Sequence, residues 1–428
     1  MSTSKKLVFA LFLVTLGALL PSSTASADGG RYFVKSTKAF WKNTLGVRHS
    51  FENGFSTELS DFQVRFARIF GAEIEPVRVL QILPEEIAAT APEVKEVKSE
   101  VKTADEPLEQ PSATPSPAKV TAPKSRAKPR PVPSDQTPWG IEVVYNDGSI
   151  VKTSGGEGVN VVVLDTGILT SHLDLKNRIG QCKDFTNPRT PIIDGKCEDK
   201  NGHGTHVAGI IAADGGADSK GIYGVAPAAK LFIYKVCGPN GSCYADDIAA
   251  AIRLAADQDA QVINMSFGAD SEIPLINDAI NYAVSKNVLP VAAAGNDGPF
   301  ADSIDYPGAY ATVVAAGAIN QTIAVTEWSS RGINSTTTPY VVENRDIEFA
   351  TPGENIESTY NNGGYAILSG TSMSSPFAAG LAAKFWQAAA ENPAQATRDY
   401  LHTLAQDLLP TGDDDLSGFG LPRVPVTP

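Results

Sequence analysis

The fold is decided by Val161-Val162-Val163-Leu164-Asp165-Thr166-Gly167, in which an unbroken apolar run ends in a carboxylate and a turn. A short continuous apolar run is typical of a strand that is buried on both faces. Similar runs follow along the chain at 231–234, 262–265, 289–292 and 313–316, and helical patterns separate them at 206–213, 246–256 and 274–285. This alternation predicts one α/β domain, with a mainly parallel sheet between two layers of helices.

The amino terminus has the pattern of an export signal over residues 1–27. Lys5 and Lys6 precede an apolar stretch at 7–20, and Ala25-Ser26-Ala27 has the small residues at which a signal peptidase cuts. A membrane anchor is the alternative, but that stretch is shorter than the roughly 20 residues that cross a bilayer. We therefore predict a secreted, extracellular protein, with the periplasm as the alternative location.

Three further segments follow the signal. Residues 28–84 have the pattern of a small α+β unit, in which strands at 32–34 and 77–82 flank a helix at 61–69. Residues 85–133 are rich in Pro, Ala, Lys and Glu without apolar periodicity, which predicts a disordered linker. Residues 134–428 contain the α/β domain.

The cysteines and the charge restrict the possible partners. Because an even number of cysteines follows an export signal, we expect disulfides rather than a metal site. Close spacing favours one of the three possible connectivities, which joins Cys182 with Cys197 and Cys237 with Cys243. The formal net charge of −13 argues against binding to nucleic acid.

Three polar motifs stand where such a sheet places reactive groups, at strand ends and helix starts. They are Asp165 after the first strand, His203 within Gly202–Gly209, and Ser372 ahead of a helical pattern at 377–390. Taken singly, each has an ordinary structural interpretation, as a turn, a helix start or a helix cap. Together they supply the carboxylate, base and hydroxyl that an activated serine nucleophile requires.

Other kinds of site fit the same residues less well. An aspartic protease would need a second Asp-Thr-Gly half-site after a strand, and the sequence offers none. His206 follows His203 by one helical turn, but no Glu lies between them as in a two-His zinc site, so we interpret His206 as structural.

The strings VVVLDTGI, NGHGTHVAGI and SGTSMSSP resemble the signatures of the subtilisin-like serine proteases, or subtilases, over roughly residues 134–428. The resemblance implies a serine endopeptidase in which Asp165 orients His203, the general acid and base, and Ser372 forms the acyl-enzyme. It also implies no cofactor for catalysis, protein or peptide substrates, and a monomer. A catalytically inactive binding protein of the same fold is the alternative, which would not need these residues together.

The same resemblance assigns the remaining parts of the site. Asn296 is expected to donate to the oxyanion, and the residues that contact substrate are Ser266, Phe267, Gly268, Gly295 and Asp305. Asp305 lies where the family forms the floor of the pocket for the residue before the cut, which predicts a preference for Arg or Lys. The alternative is that Asp305, with Asp199 and Asp297, is an ordinary surface acid.

Residues 53–60, Asn-Gly-Phe-Ser-Thr-Glu-Leu-Ser, resemble a stretch of the inhibitor I9-like propeptides of subtilisins. This implies that the unit at 28–84 inhibits its own enzyme, which would be made as a self-processing zymogen. The long linker is a departure from the family, and its basic end places the maturation cut between Arg126 and Ser134. Structural calcium is also implied, with Asp174, Asp214 and Asp218 as candidate ligands.

Overall fold

The computed structural model describes residues 29–83, 129–334, 340–408 and 410–426. The predicted signal peptide and most of the predicted linker lie outside these residues. Within them, no helix combines the length and the apolar character needed to cross a membrane.

Residues 29–83, called here the amino-terminal unit, form an antiparallel sheet in the order β2-β1-β3 with two helices packed on it. The elements are β1 Gly29–Val34, α1 Ala39–Leu45, β2 Phe55–Ser60, α2 Asp61–Ile69, β3 Ile74–Pro76 and β4 Val79–Ile82. Helix α2 begins as the sequence predicts, because Ser60 and Gln63 form a reciprocal capping box. Strand β4 leaves this sheet and pairs with the rest of the molecule.

Residues 129–426, called here the main domain, contain an eight-stranded sheet. The strands of the domain are β5 Asn160–Asp165, β6 Ile179–Asp184, β7 Ile193–Asp194, β8 Lys230–Lys235, β9 Ser242–Tyr244, β10 Val262–Met265, β11 Phe267–Gly268, β12 Leu289–Ala293, β13 Val314–Ile319, β14 Phe349–Pro352, β15 Ile356–Thr359, β16 Tyr365–Leu368, β17 Ala405–Gln406 and β18 Leu421–Pro422. The large sheet has the order β14-β13-β12-β10-β5-β8-β6-β7, and every pair is parallel except β6 with β7.

Helices cover both faces of this sheet. They are α3 Trp139–Tyr145, α4 His203–Ala212, α5 Ala245–Asp257, α6 Pro274–Ser285, α7 Thr371–Lys384 and α8 Pro393–Leu404. Val161 and Val163 of β5 pack with α4 and α7, whereas Val162 and Leu164 pack with α5 and α6. The alternation confirms the predicted three-layer α/β/α domain.

Several predicted boundaries differ from the structure by one to three residues, and two differ by more. The helix expected at 377–390 is α7, which begins at Thr371 and ends at Lys384, because tertiary hydrogen bonds hold its polar first turn and Phe385 and Trp386 turn back against the core. Arg130, inside the predicted linker, is already fixed to the main domain, since its backbone N–H and C=O pair with Tyr365 at 2.8 and 2.9 Å.

Candidate active site

The fold brings the three predicted reactive residues to one edge of the sheet. Asp165 is the last residue of β5, His203 is the first residue of α4, and Ser372 is the second residue of α7. All three side chains are buried. Parallel strands present their carboxyl ends at a common edge, which is why residues far apart in sequence can meet there.

Asp165 and His203 form a close pair. The Nδ1 atom of His203 lies 2.8 and 2.9 Å from the two carboxylate oxygens of Asp165. The backbone N–H of Thr166 also donates to Asp165, at 2.6 Å. A carboxylate in this position keeps a proton on Nδ1, so Nε2 is the ring atom that can accept one from a nucleophile.

Asp199 organises the loop that carries this pair. Its buried carboxylate accepts hydrogen bonds from the hydroxyl of Thr166 at 2.9 Å and from the hydroxyl and backbone N–H of Thr205 at 2.6 and 3.0 Å. Burial alone would raise the pKa of Asp199, but hydrogen bonds from Thr205 and from the backbone N–H groups of Gly202 and Asn201 hold it below its ordinary value. Since Thr166 follows Asp165 and Thr205 lies just beyond His203, Asp199 ties the two segments together; it is not a surface acid.

Ser266 is joined to the head of α7. Pro376 has no N–H to donate to the carbonyl of Ser372 four residues earlier, and the hydroxyl of Ser266 donates to that carbonyl instead, at 2.9 Å. The hydroxyl of Ser372 in turn donates to the carbonyl of Ser266 at 3.2 Å. Two hydrogen bonds therefore join Ser266, which is predicted to contact substrate, to the segment that carries Ser372.

Asn296 is held by the residue that precedes Ser372. Its Oδ1 atom accepts from the backbone N–H and the hydroxyl of Thr371, at 3.0 and 2.9 Å. Because Oδ1 is used in this way, the donor Nδ2 is directed to the other side of the amide. This orientation suits a residue that stabilises an oxyanion near Ser372.

A strand of the amino-terminal unit fills the predicted substrate cleft. Strand β4 lies between β9 and β11 and is antiparallel to both, with Gln81 opposite Gly268 and Ser242. The backbone N–H of Ile82 donates to the carbonyl of Gly241 at 2.9 Å. Phe267 and Gly268, which are predicted to contact substrate, thus pair here with an extended segment of the same chain.

Asp305 lies at the pocket that receives the end of this strand. A Cβ atom added to Gly268 would lie 2.7 Å from Oδ2 of Asp305 and 2.9 Å from Cδ2 of Leu83, and one added to Gly295 would lie 2.8 Å from the same Oδ2. Gly268 and Gly295 therefore lie against the buried carboxylate of Asp305, and Leu83 lies beside Gly268. Carboxylate oxygens of Asp270 and Asp297 lie within 4.8 Å of the Asp305 carboxylate, so three acidic groups are clustered here.

Two of the predicted calcium ligands lie in one oxygen-rich region. Asp174 accepts from the backbone N–H of Ile222 at 2.9 Å, and its burial raises its pKa. The side-chain amide of Gln136 contacts the carbonyls of Ser219 and Gly221, at 2.7 and 3.0 Å. The loop that contains Asp218 thus meets Asp174, which brings carboxylate and carbonyl oxygens, the kind of atom that calcium binds, into one region.

Asp214 is used in a different way. Its carboxylate pairs with the guanidinium of Arg178 at 3.2 Å. Among the described residues, Asp174, Asp214 and Asp218 do not form a group whose ligand atoms all lie within 4.8 Å of one another. Asp174 and the carbonyl oxygens of the loop are therefore the stronger candidate ligands.

Both favoured disulfides are confirmed. Cys182 pairs with Cys197 and Cys237 pairs with Cys243, with Cα–Cα distances of 5.3 and 4.1 Å. The second bridge closes the turn that leads into β9, beside the cleft.

His206 is buried within the main domain. Its Nε2 atom lies 3.0 and 3.1 Å from the carbonyls of Ile356 and Ala366, and burial lowers its pKa to about 3. A neutral ring held by two carbonyls agrees with the structural interpretation.

Known proteins are similar to this chain in sequence and in fold. A family model described as the subtilase family matches residues 156–420. The subtilisin of Bacillus sp. (strain TA39) is 50% identical over 311 residues, which are 68% of this chain and 73% of that protein. The major intracellular serine protease of Bacillus subtilis (strain 168) is 41% identical over 251 residues, 58% of this chain and 74% of that protein. The solved structure of S41 psychrophilic protease has a TM-score of 0.65 and 49% identity, and the match covers 68% of this chain and 99% of that one.

Proposed function

The chain belongs to the subtilase family and is a serine endopeptidase, and from that premise we propose that Ser372, His203 and Asp165 are its catalytic triad. The observation that carries the proposal is the buried contact of 2.8 Å between His203 Nδ1 and Asp165, at the sheet edge where α7 presents Ser372. Peptide bonds in proteins are the substrates.

The geometry supports a two-stage hydrolysis. The hydroxyl oxygen of Ser372 attacks the carbonyl carbon while His203 Nε2 takes the hydroxyl proton. Asn296 Nδ2 and the backbone N–H of Ser372 donate to the oxyanion, and His203 returns the proton to the departing amine. Water then attacks the Ser372 ester by the same route in reverse, which releases the acid and restores the enzyme.

We also propose that the chain is exported as a zymogen. The pattern of residues 1–27 supports export. The position of β4 supports inhibition, because it occupies both edge strands that an extended substrate would need. The amino-terminal unit is therefore proposed to act as an intramolecular inhibitor, and the enzyme to be a monomer.

The pocket at Asp305 supports a preference for Arg or Lys before the cut, because a buried carboxylate binds a cationic side chain by charge-assisted hydrogen bonds. One observation favours the alternative of apolar residues: the side chain that lies there in this structure is Leu83. The two preferences predict different effects on kcat/KM when the negative charge of Asp305 is removed.

For peptides that differ only before the cut, we expect Asp305→Asn to lower kcat/KM about 10- to 100-fold for Arg or Lys and to leave Leu nearly unchanged. The matched control is Asp302→Asn, since Asp302 lies nearby but pairs on the surface with Arg345 at 2.7 Å. Measured kcat/KM values for wild type and both variants decide the matter. Equal losses for Arg and Leu peptides, or a wild-type preference for Leu, would rule out the acidic pocket as the source of specificity.

We propose that structural calcium binds at Asp174 with carbonyl oxygens of the 219–221 region. Because calcium would bind the folded state alone, we expect a chelator to lower the Tm by about 5 to 10 °C relative to calcium at 100 times its Kd. Scanning calorimetry of the Ser372→Ala chain, which cannot digest itself, measures this shift. Asp174→Asn should abolish the response, and an unchanged wild-type Tm on chelation would refute the site.

A further inference from the structure

Two adjacent acids of the main domain lie at its contact with the amino-terminal unit. Asp246 and Asp247 stand in the first turn of α5, directly after the cleft strand β9, and their side chains are 0% and 1% exposed. A buried pair of carboxylates is costly unless opposite charges and hydrogen bonds compensate it.

The compensating charges come from the amino-terminal unit. Arg31 Nη1 lies 3.2 Å from Asp246 and 2.7 Å from Asp247. Arg48 Nε donates to Asp247 at 3.0 Å, and His49 Nε2 lies 2.9 Å from the same carboxylate. Within the described residues, every ion pair of these two acids is made to the amino-terminal unit.

The two guanidinium groups also contact other parts of the main domain. Arg48 donates to the carbonyl of Asn187 at 2.7 Å and to that of Phe185. Arg31 stacks over the ring of Tyr244, with 3.9 Å between its Cζ atom and the ring centroid. Since Tyr244 belongs to β9 and lies opposite Val79 of β4, this contact is continuous with the cleft.

We propose that Asp246 and Asp247 form a docking site for paired guanidinium groups, which holds the amino-terminal unit over the cleft through Arg31 and Arg48. The inference rests on the proposed inhibitory role and names the contact that retains the inhibitor. Asp246 and Asp247 lie at the amino terminus of α5, where the helix dipole stabilises carboxylates, so the enzyme tolerates them after the amino-terminal unit leaves. Release of the amino-terminal unit gives up these ion pairs, so the site favours retention.

The test measures opening of the cleft in the full chain carrying Ser372→Ala, so that no self-cleavage intervenes. Hydrogen exchange at the amide of Ile82 reports opening, because that N–H is bonded to Gly241 only when β4 is docked. We expect R31Q/R48Q and D246N/D247N each to increase its exchange rate at least tenfold. The combined four-site variant should exchange no faster than R31Q/R48Q, because that pair has already lost the contacts with Asp246 and Asp247.

Control variants carry the same charge changes elsewhere. Lys35→Gln removes an exposed cation that pairs with Glu73 and Glu75 inside the amino-terminal unit. Asp257→Asn removes an exposed acid at the end of α5. Both should exchange at the rate of the parent, and R31K/R48K should lie between the parent and R31Q/R48Q because charge is kept without the planar fork.

The outcomes separate this proposal from the proposed catalytic role. The docking site is refuted if the paired variants exchange like the controls, if their effects multiply in the four-site variant, or if R31K/R48K is as open as R31Q/R48Q. Exchange protection at the β1–β2 amides shows whether the amino-terminal unit stays folded in each variant. If R31Q/R48Q loses that protection, the exchange rate of Ile82 in R31K/R48K is used to test the docking site. Phosphonylation by a fluorophosphonate, in which the Ser372 oxygen displaces fluoride from phosphorus, is measured in parallel on chains that keep Ser372. Failure of every such chain to react would count against Ser372 without affecting the exchange result.

Discussion

Ser372→Ala is expected to lower kcat for peptide hydrolysis by about six orders of magnitude, because removal of the nucleophile disables the base and the orienting carboxylate with it. Ser374→Ala is the matched control, since it deletes a neighbouring hydroxyl on the same helix that donates only to the carbonyl of Thr351. We expect the control to keep activity close to wild type. Activity of Ser372→Ala within tenfold of wild type, with a confirmed sequence, would exclude the proposed nucleophile.

The same variant reports on maturation. Ser372→Ala should remain an uncut precursor, whereas the wild type should give a new amino terminus between Arg126 and Ser134. The bond that follows Leu83 is an unfavourable first cut, because Pro84 places a ring carbon where other residues carry the N–H. Amino-terminal sequencing distinguishes the two positions, and a wild-type cut after Leu83 would contradict the expected order.

Asn296→Ala should lower kcat about 10²- to 10³-fold with little change in KM, because the lost donor acts on charge that develops in the transition state. Thr371→Val should have a smaller effect in the same direction, since it removes one of the two hydrogen bonds that orient Asn296. Asn281→Ala, on the exposed side of α6, is the control. Steady-state kinetics on one peptide measures all three.

A loss that appeared in KM alone would place Asn296 in substrate binding and remove it from oxyanion stabilisation. An unchanged kcat would leave the backbone N–H of Ser372 as the main donor.

The central strands and helices of the main domain could be predicted because their signal is local. The strand at 262–265 and the helix at 274–285 were predicted with the boundaries that the structure has. Strands β9 and β11 have only two or three residues each, and they exist as strands because β4 lies between them. No local pattern can predict a strand that depends on a partner more than 150 residues away.

The residues of the candidate site also differ in whether a local sequence pattern predicts them. Asp165, His203, Ser372 and Asn296 stand in short motifs that make them candidates from the sequence alone. Asp199 carries no such motif, and only its contacts with Thr166 and Thr205 show what it does. The pairing of Arg31 with Asp246 spans 215 positions in the chain, and charge alone does not predict it.

The gap between β9 and β11 has a consequence for the targets that this enzyme can cut. A polypeptide that enters the gap must offer backbone N–H and C=O groups on both of its edges at once, as β4 does. A segment already inside a helix or a sheet has committed those groups, and it must first detach from its own neighbours. If substrates bind in this gap, we expect native proteins to be cut at loops, at termini and wherever a segment transiently opens.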